Sequence, residues 1–166
     1  MPNQDVDSIL KKYAQLIQAG NPALKFIYYG DPIRIPKDSL PAVILQKIDT
    51  TVANLSNKED EHRIRISITA VTDVRDTISD DKAMVAGANA LYNLMEGRDA
   101  ATYALSATSL LNIIRHNVEV DPAHNLRTDL DSMTRCQYGL TVGKRGENSW
   151  ATEGMIEFTS HFTQVR

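Results

Sequence analysis

Ile64, Ile66, Ile68 and Ala70 alternate with Arg63, Arg65, Ser67 and Thr69. A period of two turns every apolar side chain to one side of an extended chain. The segment Arg63 to Val71 therefore predicts an antiparallel strand, one face buried and the other wet or set against a partner. Two further segments repeat the pattern. Thr134, Cys136, Tyr138, Leu140 and Val142 alternate with Arg135, Gln137, Gly139 and Thr141, and Ile156, Phe158, Ser160 and Phe162 alternate with Glu157, Thr159, His161 and Thr163. Leu24 to Tyr29 and Leu40 to Ile48 are short and rich in β-formers. Pro32 and Pro36 between them confine any strand there to an edge.

The other period in the chain is helical. Val6, Ile9, Leu10, Tyr13, Leu16 and Ile17 recur at three- and four-residue spacing, predicting a helix near residues 6–19. Gly20-Asn21-Pro22 ends it, with Gly20 expected in the left-handed cap conformation. A second helix spans about 80–96. Ser79 is its expected N-cap, Asp80 and Asp81 suit the positive end of its dipole, and Gly97 marks its end. Its buried stripe is Met84, Gly87, Ala88, Leu91, Leu94 and Met95, which reads as core. Ser109 to His116 predicts a shorter third helix, followed by an extended Asn117 to Val120 and a turn at Asp121-Pro122. Asn54 to Glu61, with Lys58, Glu59, Asp60 and Glu61, reads as a solvated hairpin loop. Gly143 to Trp150 reads as a second polar loop, carrying the only tryptophan. The order of helix, strands, helices and strands gives an α+β fold: a mainly antiparallel sheet with helices packed on one face.

Composition sets limits on function. A chain of 166 residues with 42% hydrophobic and 23% charged residues suits one domain, residues 1–166, with its own core. No apolar run reaches the ~20 residues of a membrane helix, and the first residues lack the pattern of a signal peptide. The single cysteine, Cys136, excludes an internal disulfide and suggests folding in a reducing cytoplasm. A net charge of −3 and 6% aromatic residues argue against a nucleic-acid-binding module.

Signatures of chemistry are sparse. There is neither GxGxxG nor GxxxxGK[ST], and Gly143-Lys144-Arg145-Gly146 reads as a β-turn rather than a phosphate loop. His62, His116, His124 and His161 are scattered, without the paired spacing of metal ligands. Asp129 with Asp131, and Asp73, Asp76, Asp80 and Asp81, are acidic residues of the kind expected at turns and helix starts. Cys136 falls on an apolar strand face, as a small core residue would. No GxSxG elbow is present. The expectation is a protein with no catalytic residue, no cofactor and no metal.

The amphipathic first helix, the strand opening Leu40-Pro41-Ala42-Val43-Ile44, and Ile64-Arg65-Ile66-Ser67-Ile68-Thr69 lead into the Asp80 to Glu96 helix. A short Leu- and Ile-rich helix and an antiparallel C-terminal pair follow. In length and element order this resembles the tail-terminator (tail-completion) proteins of long-tailed bacteriophages, over most of the chain. The resemblance implies a structural virion protein at the head-proximal end of the tail, assembled in the host cytoplasm. It implies a ring, typically a homohexamer, that stops tube polymerisation and provides the head-tail joining surface. The implied partners are other copies of the chain, the major tail tube protein and a head-completion or neck protein. DNA would pass through the lumen without specific binding, and no membrane is involved. Neck, head-completion and tail-tube subunits share related architecture, and a small ligand-binding or enzymatic α+β domain is the reading from a different class. No family residue carries over by motif. The candidate subunit-interface residues are Arg63 and Arg65 on one strand face, either paired with a neighbour's carboxylates or exposed, and Lys144, Arg145 and Trp150 in the second polar loop.

Overall fold

The computed structural model describes residues 7–74, 81–144 and 150–166, leaving aside the side chains of 81–84, 86 and 140–144. Helix α1 (Ser8–Gly20) is followed by β1 (Phe26–Tyr29), β2 (Ala42–Ser56) and β3 (Glu59–Asp73). Then come α2 (Asp81–Met95), α3 (Leu110–His116), and the short strands β4 (Glu119–Asp121) and β5 (Leu126–Thr128). Strands β6 (Arg135–Lys144) and β7 (Trp150–Val165) complete the sequence of elements. The strands form one curled sheet in the order β1-β2-β3-β7-β5-β4, with β6 also paired to β7. Among the described residues only the β1–β2 pair is parallel. The fold is thus α+β and mostly antiparallel. No helix among the described residues is long and apolar enough to cross a membrane.

The alternation in β3 sets the layering. Ile64, Ile66, Ile68 and Ala70 face the helices, together with Val43 and Leu45 of β2 and Ile156 and Phe158 of β7. Leu10, Tyr13, Ala14 and Ile17 of α1, Leu91 and Met95 of α2, and Leu110, Leu111, Ile113 and Ile114 of α3 close this core. Removing each large side chain from water stabilises the fold by roughly 1.5–3 kcal/mol. At one end the opposite face has a smaller core, where Ile35 and Leu40 cover Ala42, Ile44, Val71 and Ala151.

Local chemistry fixes the helix ends. Asp7 caps α1, its carboxylate accepting from the Ile9 N–H at 2.9 Å. Ser109 caps α3 through the Asn112 N–H. Gly97 marks the end of α2 as expected, and its φ of 54° puts it in the left-handed region. Gly20 plays a different part from the left-handed cap expected of it. It is the last residue of α1, and a Cβ there would meet the Ile113 side chain at 2.7 Å, so the glycine makes room for α3. The expected cap Ser79 lies outside the described residues.

The largest departure from expectation is Asn54 to Glu61. It is not a loop: β2 runs to Ser56, β3 starts at Glu59, and only Asn57 and Lys58 turn. Val52 pairs with His62, Ala53 with Glu61 and Asn54 with Asp60, while β7 adds Phe162, Thr163 and Gln164 as a third strand. Charged residues there report exposure, which a strand outside the helical layer has on both faces. The terminal Arg166 binds the Asp60 carboxylate through its guanidinium and Lys58 through its N–H, fastening the tip.

Candidate interaction surface

The face of the sheet away from the helices is polar where the smaller core ends. Arg63, Arg65, Ser67 and Thr69 of β3 lie beside His161, Thr159, Glu157 and Met155 of β7. A register shift between Lys47 and Asp49 brings Asp49 opposite Arg65 and Thr51 opposite Arg63. Arg65 then pairs with Asp49 at 2.7 Å and Arg63 with Glu61 at 3.1 Å. Both arginine side chains remain about half exposed. Their carboxylate partners thus come from the same chain, a third possibility beside the neighbour's carboxylates and open solvent.

A groove of about 260 Å³ runs between these strands and the turn after β5, lined by Asp49, Thr51, Arg63, Arg65, Asp129 and Thr159. The turn is pinned by Asp129, whose N–H donates to the Thr159 carbonyl at 2.8 Å. Its carboxylate accepts from the N–H groups of Asp131 and Ser132. Partial burial alone would raise the Asp129 pKa, but these bonds and the Ser132 hydroxyl hold it below the ordinary value. Of the acidic pair read from the sequence, Asp129 therefore caps a turn to which Asp131 contributes its backbone N–H. Among the described residues no three potential ligands cluster as a metal site.

Beyond the helical layer β2, β3 and β7 continue as a three-stranded arm. Residues 46–56 of β2 have no partner strand on their outer edge among the described residues, since β1 pairs only with Ala42 to Leu45. Val52 and Leu55 are more than half exposed on this arm. His62 stacks on Phe162 with ring centroids 4.7 Å apart. An open strand edge beside exposed apolar side chains is a ready template for another chain.

Lys144 and Trp150 sit elsewhere. They pair in register at the start of β7, so Trp150 opens a strand rather than lying in a loop. Trp150 is 38% exposed, and its carbonyl accepts from the Val74 N–H. Arg63 faces His161, eleven residues further along β7, or about 37 Å at 3.4 Å per residue. The two groups of candidate residues belong to opposite ends of the sheet. Arg145 and the Lys144 side chain lie outside the described residues.

Sequence reasoning missed the arm. Its signal was the run of β-formers Thr50, Thr51 and Val52 continuing past Ile48, which the charges of 58–61 obscured. Cys136, expected as a small core residue, sits on strand β6 and is only half-buried, packed against the main core from its edge. Burial and the Glu96 carboxylate push its thiol up to about 11, with Arg98 opposing. Tyr138, beside it on the same face, has its hydroxyl enclosed without a hydrogen-bond partner among the described residues. No protein-family model matches the sequence, and no curated protein does.

Proposed function

We propose that this chain is a structural subunit that assembles with identical copies into a ring, most simply a hexamer, on the end of a phage tail tube. The observation that carries the reading is the arm: a fastened, three-stranded projection with eleven edge residues, 46–56, open to pairing and apolar side chains turned to solvent. A protein that acts by repeating itself needs surfaces of this kind and no active site. The element order that resembles tail-terminator proteins supports the same reading. In that role the ring stops tube growth and offers its outer face to a head-completion or neck protein, acting without turnover at the head-proximal end of the virion tail. A net charge of −3 suits a conduit that DNA must pass without sticking.

The test is a phage lacking the protein. Overlong or irregular tails that fail to join filled heads are expected. Tails of normal length that cannot join heads would move the assignment to a neck protein, and normal tails that join would remove it altogether.

A further inference from the structure

The sheet leaves two long edges open. Residues 46–56 of β2 have no outer partner strand, and β6 (Arg135–Lys144) pairs with β7 alone among the described residues. Open edges are normally blunted by shortness, charge or proline. β1 and β4, at the two ends of the sheet, have four and three residues, each with a proline close behind. The longer edges lack that protection where they run flat. Thr50 to Asn54, between the two register shifts of β2, has neither charge nor proline, and neither has Cys136 to Gly143 of β6.

The directions of these edges match. β2, β3, β7 and β6 are joined by three antiparallel pairings, so β6 runs opposite to β2. A second copy carried sideways around a ring axis therefore presents its β2 antiparallel to β6. Register follows from the faces, since a slip of one residue would turn every side chain over. Thr51 lies opposite Arg63 and Arg135 opposite Glu157, all on the polar face. Setting Thr51 of one copy against Arg135 of the next displaces the copies by four residues along the strands, from the level of Glu157 to that of His161. That is about 14 Å along the strands against about 19 Å across four of them, which inclines the strands about 35° to the ring axis. Closed sheets hold their strands at about 35–45°, whereas the adjacent same-face registers would give about 20° and about 47°.

The same register brings exposed apolar groups together. Beyond Thr51 the neighbour's arm passes the turn that leads into β6, where Met133 is 83% exposed and Leu130 also reaches solvent. Val52 and Leu55 are the apolar side chains that the arm brings to it. Two different edges of one molecule make a heterologous contact, which propagates and can close into a ring. We infer that the β2 edge of each subunit pairs with the β6 edge of the next copy of this chain, Thr51 opposite Arg135, with the arm tip against the Leu130–Met133 turn. The inference rests on the ring-forming reading and names the contact that builds the ring.

The experiment uses the full chain, alone at high concentration and added to tail tubes that lack it. With Cys136→Ser as the background, Thr51→Cys and Arg135→Cys in one chain should oxidise to covalent oligomers, and neither substitution alone should do so. Met133→Asp, on an exposed turn, should weaken self-association about tenfold by native mass spectrometry, as for an interface anchor. Hydrogen exchange on the wild-type protein gives an answer should the cysteine variants not fold. The amides of residues 46–51 and 135–139 should exchange about tenfold or more slowly once the protein assembles. Covalent dimers from Thr51→Cys alone would mean that two β2 edges meet about a twofold axis, and would overturn this contact. Assembled rings that lack the cross-link, keep their exchange unchanged at these edges, or stay as stable with Met133→Asp would overturn it and leave the ring reading standing. Absence of wild-type self-association both alone and on tubes would overturn both.

Discussion

Tyr13 and Thr128, 115 residues apart in the chain, share a hydrogen bond of 3.0 Å between Oη and Oγ1 inside the core. The tyrosine ring also meets Phe158 edge-on, with centroids 5.0 Å apart. One side chain therefore ties α1 to both β5 and β7. Burial pushes its phenol pKa up, with the hydrogen bonds to Ser160 and Thr128 opposing. Tyr13→Phe keeps the ring contact and strips Thr128 of its partner, which should cost about 1–2 kcal/mol in urea unfolding. Adding Thr128→Val should recover part of that loss. An unchanged midpoint in the single variant would show that the bond contributes nothing net.

Ile66 is fully buried at the centre of β3, between Lys47 and Phe158 in the sheet register. Ile66→Ala should cost roughly 2–5 kcal/mol, the range of buried large-to-small changes. Arg65→Ala, one residue away on the polar face, removes only an exposed ion pair and should cost no more than about 1 kcal/mol. Equal effects would mean that the two faces had been assigned wrongly.

Cys136 supplies a pH dependence. Its thiol rises from an ordinary 9.0 to about 11 through burial and the Glu96 carboxylate. The unfolded chain loses this proton first, so stability is complete below pH 9 and declines as pH rises toward 11. Tyr138 moves the same way, raised by burial and the same carboxylate. Cys136→Ser should flatten part of the alkaline loss in a series of thermal melts. At pH 8 the folded protein should react with iodoacetamide about a hundredfold more slowly than the unfolded chain, because the thiolate is the reacting form. Equal rates would place the thiol outside the packed edge.

Leu55, 54% exposed near the tip of the arm, has little to lose on becoming charged within a single subunit. Leu55→Asp should shift the unfolding midpoint by no more than about 0.5 kcal/mol yet reduce assembly on tail ends. A variant that assembles as well as wild type would take the arm tip out of the interface.

The local periods were enough to place most elements. Alternation located Arg63 to Val71, Thr134 to Val142 and Ile156 to Thr163, and 3.6-residue spacing located α1, α2 and α3. Each rests on neighbours within a few residues, so the sequence reports it directly. The same logic separated Ile66 from Arg65, because a one-residue step in a strand changes the face.

What tertiary structure alone decided were the features made by distant segments. Glu59 to Glu61 lie in the middle of a three-stranded arm because β7, about a hundred residues later, pairs along them, and nothing in their own composition announces that partner. Arg65 finds Asp49 through the pairing and register shift of β2 and β3, whereas Arg63 meets Glu61 two residues away on its own strand. A cleft between Ile9 and Phe162 needs α1, β4, β5 and β7 to converge. A sequence encodes which side of an element is apolar. Which polar edge or aromatic remains uncovered depends on where the rest of the chain has gone.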